Sequence, residues 1–100
     1  MKVEFLSKFN RDLDTISSKS LKKAVLNIIL QVEAAKSLSE IPNTKKLSGH
    51  KSAFRIRIGN YRMGIFLETD IVQFARIVHR KDIYQDFPEP SIHIIDWLPE

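Results

Sequence analysis

The 100-residue chain is long enough for one domain with a single modest core, and its 43% hydrophobic content excludes a disordered protein. It has no cysteine, which excludes a disulfide framework or a thiolate metal site, and its three scattered histidines do not suggest a metal centre. The net charge is only +4, but the stretch between Glu40 and Glu68 has no acidic residue and six basic ones, which indicates a nucleic-acid or acidic-protein partner.

The N-terminal third predicts a strand followed by two helices. Residues 2–6 alternate apolar and polar side chains, as a strand does. Ser7 is expected to cap a short helix that leaves its charged residues, Asp12 among them, in solvent. Ser17 and Ser18 interrupt that helix, and residues 19–36 carry a broad apolar stripe typical of a second helix packed on both the sheet and the first helix. No signal peptide or membrane-spanning stretch is visible, so a cytoplasmic protein is expected.

Residues 53–66 predict a β-hairpin, because two alternating arms flank the dipeptide Gly59-Asn60. A two-residue loop would place Arg57 opposite Arg62 and Arg55 opposite Gly64. The three arginines then share one face, and Gly64 is expected to leave open space beside them. Like charges directly across a ladder destabilise it, so this face suggests a binding site for an anion.

The remaining segments complete the predicted sheet. Residues 37–49 lose all periodicity and are expected to form a connecting loop. Residues 71–78 are almost continuously apolar, which predicts an interior strand buried on both faces. The predicted class is α+β in the order β-α-α-β-β-β, with a small, mainly antiparallel sheet packed against an N-terminal helical hairpin.

Three segments resemble the RelE family of toxins from type II toxin-antitoxin systems. They are Lys-Leu-Ser-Gly at 46–49, the hairpin at 54–64, and His-Arg-Lys-Asp-Ile-Tyr at 79–84 with the following Phe87-Pro88. The resemblance covers residues 1–88 and implies an endoribonuclease that enters the ribosome and cuts messenger RNA. It also implies a cognate antitoxin, a toxin-antitoxin hetero-oligomer, and chemistry that needs no metal or cofactor.

The resemblance assigns the catalytic work to four arginines and a tyrosine. In such toxins the ribose 2′-hydroxyl attacks the adjacent phosphate, and arginine suits the charge that develops there because it donates two parallel hydrogen bonds. The positions that match the motifs are Arg55, Arg57, Arg62, Arg80 and Tyr84.

The general base is the point at which this sequence departs from the family. Members often carry lysine on the first hairpin strand, whereas Arg55 and Arg57 cannot act as bases. His79 and Tyr84 are therefore the hypotheses for proton transfer. Contacts to ribosomal RNA are expected from four lysines, with ordinary solvated side chains as the alternative: Lys45, Lys46, Lys51 and Lys81.

Two other function classes stay open from the sequence. One is the related ParE-like branch, which inhibits DNA gyrase by protein contact, although the clustered arginines and Tyr84 argue against it. The other is a nucleic-acid-binding module without catalysis. Residues 89–100 lie beyond the resemblance and are expected to form a docked C-terminal extension, because Trp97 and its apolar neighbours favour burial.

Overall fold

The computed structural model describes residues 1–83 and 87, which form two helices on one face of a five-stranded sheet. The sheet order is β1-β5-β4-β3-β2; β1 runs parallel to β5, and the other neighbours are antiparallel. This confirms the predicted α+β class and the interior position of the last strand. In chain order the elements are β1 (Lys2–Phe5), α1 (Ser7–Thr15), α2 (Lys19–Ala34), a 3-10 turn (Leu38–Glu40), β2 (Thr44–Lys46), β3 (Ala53–Ile58), β4 (Tyr61–Glu68) and β5 (Ile71–His79).

Strand β2 lies in the segment that the sequence predicts to be a connecting loop, so that prediction is wrong here. The strand forms the edge of the sheet and pairs with Phe54 to Ile56 of β3. Its three residues, Thr-Lys-Lys, carry no apolar alternation, and they form a strand by backbone pairing with β3.

The inner core, between the helices and the sheet, holds the large apolar side chains. Phe9 of α1 and Phe74 of β5 are fully buried, with ring centroids 5.5 Å apart. Val25 and Val32 of α2 are buried against the same cluster. Each of these side chains contributes roughly 1.5–3 kcal/mol through burial, so this layer fixes the sheet on which the site is built.

The helix ends differ in part from the prediction. Ser18 caps α2, because its hydroxyl accepts a hydrogen bond from the Leu21 amide at 3.2 Å. Ser7 does not cap α1: the N-cap residue is Leu6, which offers no side-chain acceptor. At the other end of α2 the Met1 ammonium group donates to the carbonyls of Val32, Glu33 and Ala35 at 3.1, 2.8 and 2.8 Å. A cation is favourable there because the helix dipole places negative charge at its C-terminus.

A second apolar layer, the outer cluster, covers part of the opposite face of the sheet. Ile83 and Phe87 fold back over the strands after β5, and both side chains are buried. The ring of Phe87 lies directly on Gly64, so closely that a Cβ at that position would overlap it. The expectation of open space beside Gly64 is therefore wrong. The outer cluster comprises Leu47, Ala53, Phe66, Ala75, Val78, Ile83 and Phe87.

Asp12 of α1 is half-buried rather than solvated, contrary to the prediction. Its carboxylate accepts hydrogen bonds from Arg76 Nε at 2.8 Å and from Arg76 Nη2 at 3.1 Å. It also accepts a bond from the Ile77 amide at 2.9 Å. β1 pairs with residues of β5 only as far as Phe74. Beyond that point the Asp12 carboxylate, rather than a neighbouring strand, accepts the hydrogen bond of the Ile77 amide. The pairing register of β4 with β5 shifts beside Arg76, so the alternation of side chains between the two faces of β5 is interrupted there.

Within the described part of the chain, no helix is long and apolar enough to cross a membrane.

Candidate functional site

The hairpin of β3 and β4 has the register that the sequence predicts. Arg57 pairs with Arg62, and Arg55 pairs with Gly64. Lys45 of β2 pairs with Arg55 on the other side. Directly paired residues project to the same side of a sheet. We call this surface, on the side away from the helices, the basic face: Lys45, Arg55, Arg57 and Arg62.

Arg57 is oriented by Asn43, which sequence reasoning treats only as a loop marker. The guanidinium Nη2 donates to Asn43 Oδ1 at 3.0 Å, and the Arg57 amide donates to the Asn43 carbonyl at 3.0 Å. Asn43 has φ of 63°, a left-handed conformation that asparagine tolerates better than most residues. In the sequence, the feature that could have indicated this role is the position of Asn43 directly after Pro42 and just before a basic stretch.

Arg62 is anchored to the hairpin turn. Its Nη1 donates to the carbonyls of Gly59 and Tyr61, both at 2.9 Å. These two bonds keep the guanidinium of Arg62 at the tip of the hairpin, whereas Asn43 draws Arg57 toward β2. The two like charges of this cross-strand pair are thus held by different oxygen acceptors, which offsets their repulsion.

The residues after β5 return to the same tip. The Arg80 amide donates to the Asn60 carbonyl at 2.8 Å, which extends the strand pairing to the turn. The Arg80 side chain is exposed. Arg80 therefore lies at the same end of the sheet as Arg57 and Arg62, although the rest of β4 and the whole of β5 lie between Arg62 and Arg80 in the sequence.

Other predicted site residues are not brought together with the basic face. His79 pairs with Tyr61, and their rings meet edge-on with centroids 5.7 Å apart, on the side of the sheet that carries the helices. Its Nδ1 accepts a hydrogen bond from the Lys81 amide at 3.2 Å. Lys46 pairs with Phe54 and also lies on the helix side. Tyr84 lies outside the described residues.

The two remaining lysines are exposed outside the strands. Lys51 lies in the loop that joins β2 to β3, and Lys81 lies in the turn after β5. Neither is in register with the arginines. Of the four lysines predicted to contact RNA, the strand pairing thus places Lys45 alone on the basic face.

The arrangement can bind and neutralise an anion such as phosphate. Guanidinium groups are permanently charged and present planar sets of N–H donors, which match phosphate oxygens. The arginines cannot accept a proton, so this surface by itself supplies electrostatic stabilisation rather than base catalysis. Residues 1–83 and 87 bring together no group of three or more His, Cys, Asp or Glu side chains that could hold a metal ion.

Comparisons with known proteins show which proteins share this sequence and fold. No family model matches the chain. Toxin RelE3 of Methanocaldococcus jannaschii is 38% identical over 89 residues, which span 88% of this chain and 100% of that protein. A chain in the crystal structure of the RelB-RelE antitoxin-toxin complex from Methanococcus jannaschii superposes with a TM-score of 0.74 at 35% identity, covering 85% of this chain and 99% of that chain. YafQ from E. coli strain BL21(DE3) shares the fold alone, with a TM-score of 0.62 at 14% identity over 83% of this chain and 97% of that one.

The sheet backed by two helices thus has the fold of a toxin from a toxin-antitoxin system. The identity to Toxin RelE3 extends over most of the chain. The chain belongs to the RelE family of toxins. About an eighth of it lies outside the match, although the match spans the whole of that relative.

Proposed function

We propose that this toxin is a ribosome-dependent endoribonuclease that cuts messenger RNA and so inhibits translation. The observation that carries the proposal is the paired arrangement of Arg57 and Arg62 on the basic face, each fixed by its own acceptors. Charged donors held in place before the reaction stabilise a transition state without further reorganisation. Membership of the RelE family supports the same conclusion.

The proposed reaction is attack of the ribose 2′-hydroxyl oxygen on the adjacent phosphorus, while a base takes the hydroxyl proton. The bond from phosphorus to the 5′-oxygen of the next nucleotide breaks, and that oxygen takes up a proton. Negative charge grows on the phosphate oxygens in the transition state, and the arginines of the basic face neutralise it. Arg80, at the same end of the sheet, is proposed to share this role.

Proton transfer is proposed for residues outside the arginine set. Tyr84 belongs to the terminal motif and is proposed on sequence grounds as a proton donor or as an aromatic platform for a base. His79 remains the second hypothesis, but the sheet separates its ring from the basic face. Replacing each in turn distinguishes them: Tyr84→Phe should slow cleavage strongly, whereas His79→Gln should leave most of it.

The proposed partners are the ribosome with its messenger RNA, in the cytoplasm, and a cognate antitoxin. The homologous chain from Methanococcus jannaschii was crystallised in a RelB-RelE antitoxin-toxin complex. We propose that an acidic or amphipathic antitoxin segment covers or distorts the basic face of this chain and forms a hetero-oligomer with it. The short edge strand β2 beside that face offers backbone groups to an added strand.

The decisive experiment maps new messenger RNA ends on purified translating ribosomes. We expect cleavage by the wild-type protein and losses of roughly 10²–10³-fold for Arg57→Ala, Arg62→Ala and Arg80→Ala. Lys23→Ala is the matched control, since it removes an exposed positive charge from α2 on the other side of the sheet. Equal cleavage by the arginine variants and the control would refute the proposed role of the basic face.

The same preparations separate the other function classes. Loss of gyrase supercoiling activity without any new RNA ends would establish the ParE-like alternative. Ribosome or RNA binding without cleavage would establish a binding module. Either result would overturn the proposed ribonuclease activity.

A further inference from the structure

A cleft of about 430 Å³ opens at the sheet edge beyond the end of β1, between the start of α1 and the outer cluster. Its walls combine two kinds of chemistry. One part is apolar, and the rim is cationic, with exposed Lys8 and Arg11 on the first turns of α1. The apolar walls are Leu6, Phe66, Ala75 and Phe87.

The apolar part of the cleft is incompletely covered. Leu6 is 36% exposed, which makes it one of the four large apolar side chains exposed in the described part of the chain. Exposed apolar groups that line a concave site indicate an occupant. A fitting occupant would carry apolar side chains together with negative charge.

The chain itself continues from this cleft. Phe87 both lines it and is the last described residue. No lysine or arginine follows Lys81, whereas residues 89–100 contain three acidic residues and five large apolar ones. The apolar residues of this extension are Ile92, Ile94, Ile95, Trp97 and Leu98.

The length and the charge of residues 89–100 both favour this segment as the occupant of the cleft. Trp97 follows Phe87 by ten residues, and ten residues span up to about 35 Å when extended. The extension is acidic, and the rim residues Lys8 and Arg11 are basic.

We propose that residues 89–100 dock in this cleft of their own chain, with the apolar side chains against Leu6 and Phe66 and the acidic ones toward Lys8 and Arg11. The docked segment covers the open edge beside β5. It acts as an intramolecular partner at the edge of the toxin domain, away from the ladder that carries Arg57 and Arg62.

Trp97 provides a direct probe, because it is the only tryptophan in the chain. In the full-length protein we expect a blue-shifted emission maximum and acrylamide quenching severalfold weaker than in urea. The double variant Leu6→Ser/Arg11→Glu should raise quenching toward the unfolded value. Serine is favoured at the N-cap position that Leu6 occupies, so α1 is expected to persist, which circular dichroism checks.

The matched control makes a leucine-to-serine change and a charge reversal on the exposed side of α2. Leu26 and Leu30 are 54% and 53% exposed there, and they offer another exposed apolar surface in the described part of the chain. Leu26→Ser/Lys23→Glu should leave Trp97 protected at every protein concentration. The proposal fails if Trp97 is as accessible in the native protein as in urea, if the control variant exposes it instead, or if protection disappears on dilution, which would indicate a second copy.

Discussion

Gly64→Ala tests the contact that closes the outer cluster over the hairpin. Gly64 lies inside β4 without a left-handed backbone conformation, so alanine alone should stabilise the strand by about 0.5–1 kcal/mol. The added Cβ, however, would overlap the buried ring of Phe87. Overpacking of this kind typically costs about 1–3 kcal/mol, so we expect a net loss of about 1–2 kcal/mol in the free energy of unfolding.

The sign of the effect should reverse when the ring is absent. In a Phe87→Ala background the new Cβ meets no ring, and Gly64→Ala should become neutral or stabilising by up to about 1 kcal/mol. Urea unfolding followed by circular dichroism on the four proteins of this cycle measures both values. If Gly64→Ala stabilises the wild-type background as well, Phe87 does not pack on Gly64.

Three further predictions concern single contacts. Asp12→Ala removes the carboxylate that accepts hydrogen bonds from Arg76 and from the Ile77 amide, and it should lower the free energy of unfolding by about 2–3 kcal/mol in urea melts; an unchanged melt would show that these contacts contribute nothing. Asn43→Gly keeps the left-handed backbone but removes the bond to Arg57, and should slow messenger RNA cleavage roughly threefold to tenfold with stability almost unchanged. Lys45→Ala should reduce the salt dependence of ribosome binding by about one unit of slope, whereas Lys46→Ala, on the opposite face, should leave it unchanged; equal slopes would mean that the faces do not matter.

The sequence predicts best where local chemistry and tertiary structure agree. The alternating arms around Gly59 and Asn60 admit one register that buries the apolar side chains, and that register is observed. Gly59 has φ of 60°, as such a turn requires. The pairing of Arg57 with Arg62 therefore follows from the amino-acid sequence alone.

The features that the sequence does not predict depend on contacts between distant segments. Strand β2 has no periodicity of its own and exists because β3 offers it an edge. Asp12 is expected in solvent because most charged residues lie there, and its partner Arg76 follows it by 64 positions beside a register shift. The packing of Phe87 on Gly64 escapes prediction for the same reason, since a glycine in a strand does not show which ring will cover it.

The parallel pairing of β1 with β5 also sets the order in which the protein can be completed during synthesis. Lys2 pairs with Ile71, so the first strand has no partner until most of the 100-residue chain has been translated. Closing such a long loop is slow compared with forming the local hairpin. The sheet of a nascent toxin therefore closes only after β5 has emerged from the ribosome that makes it.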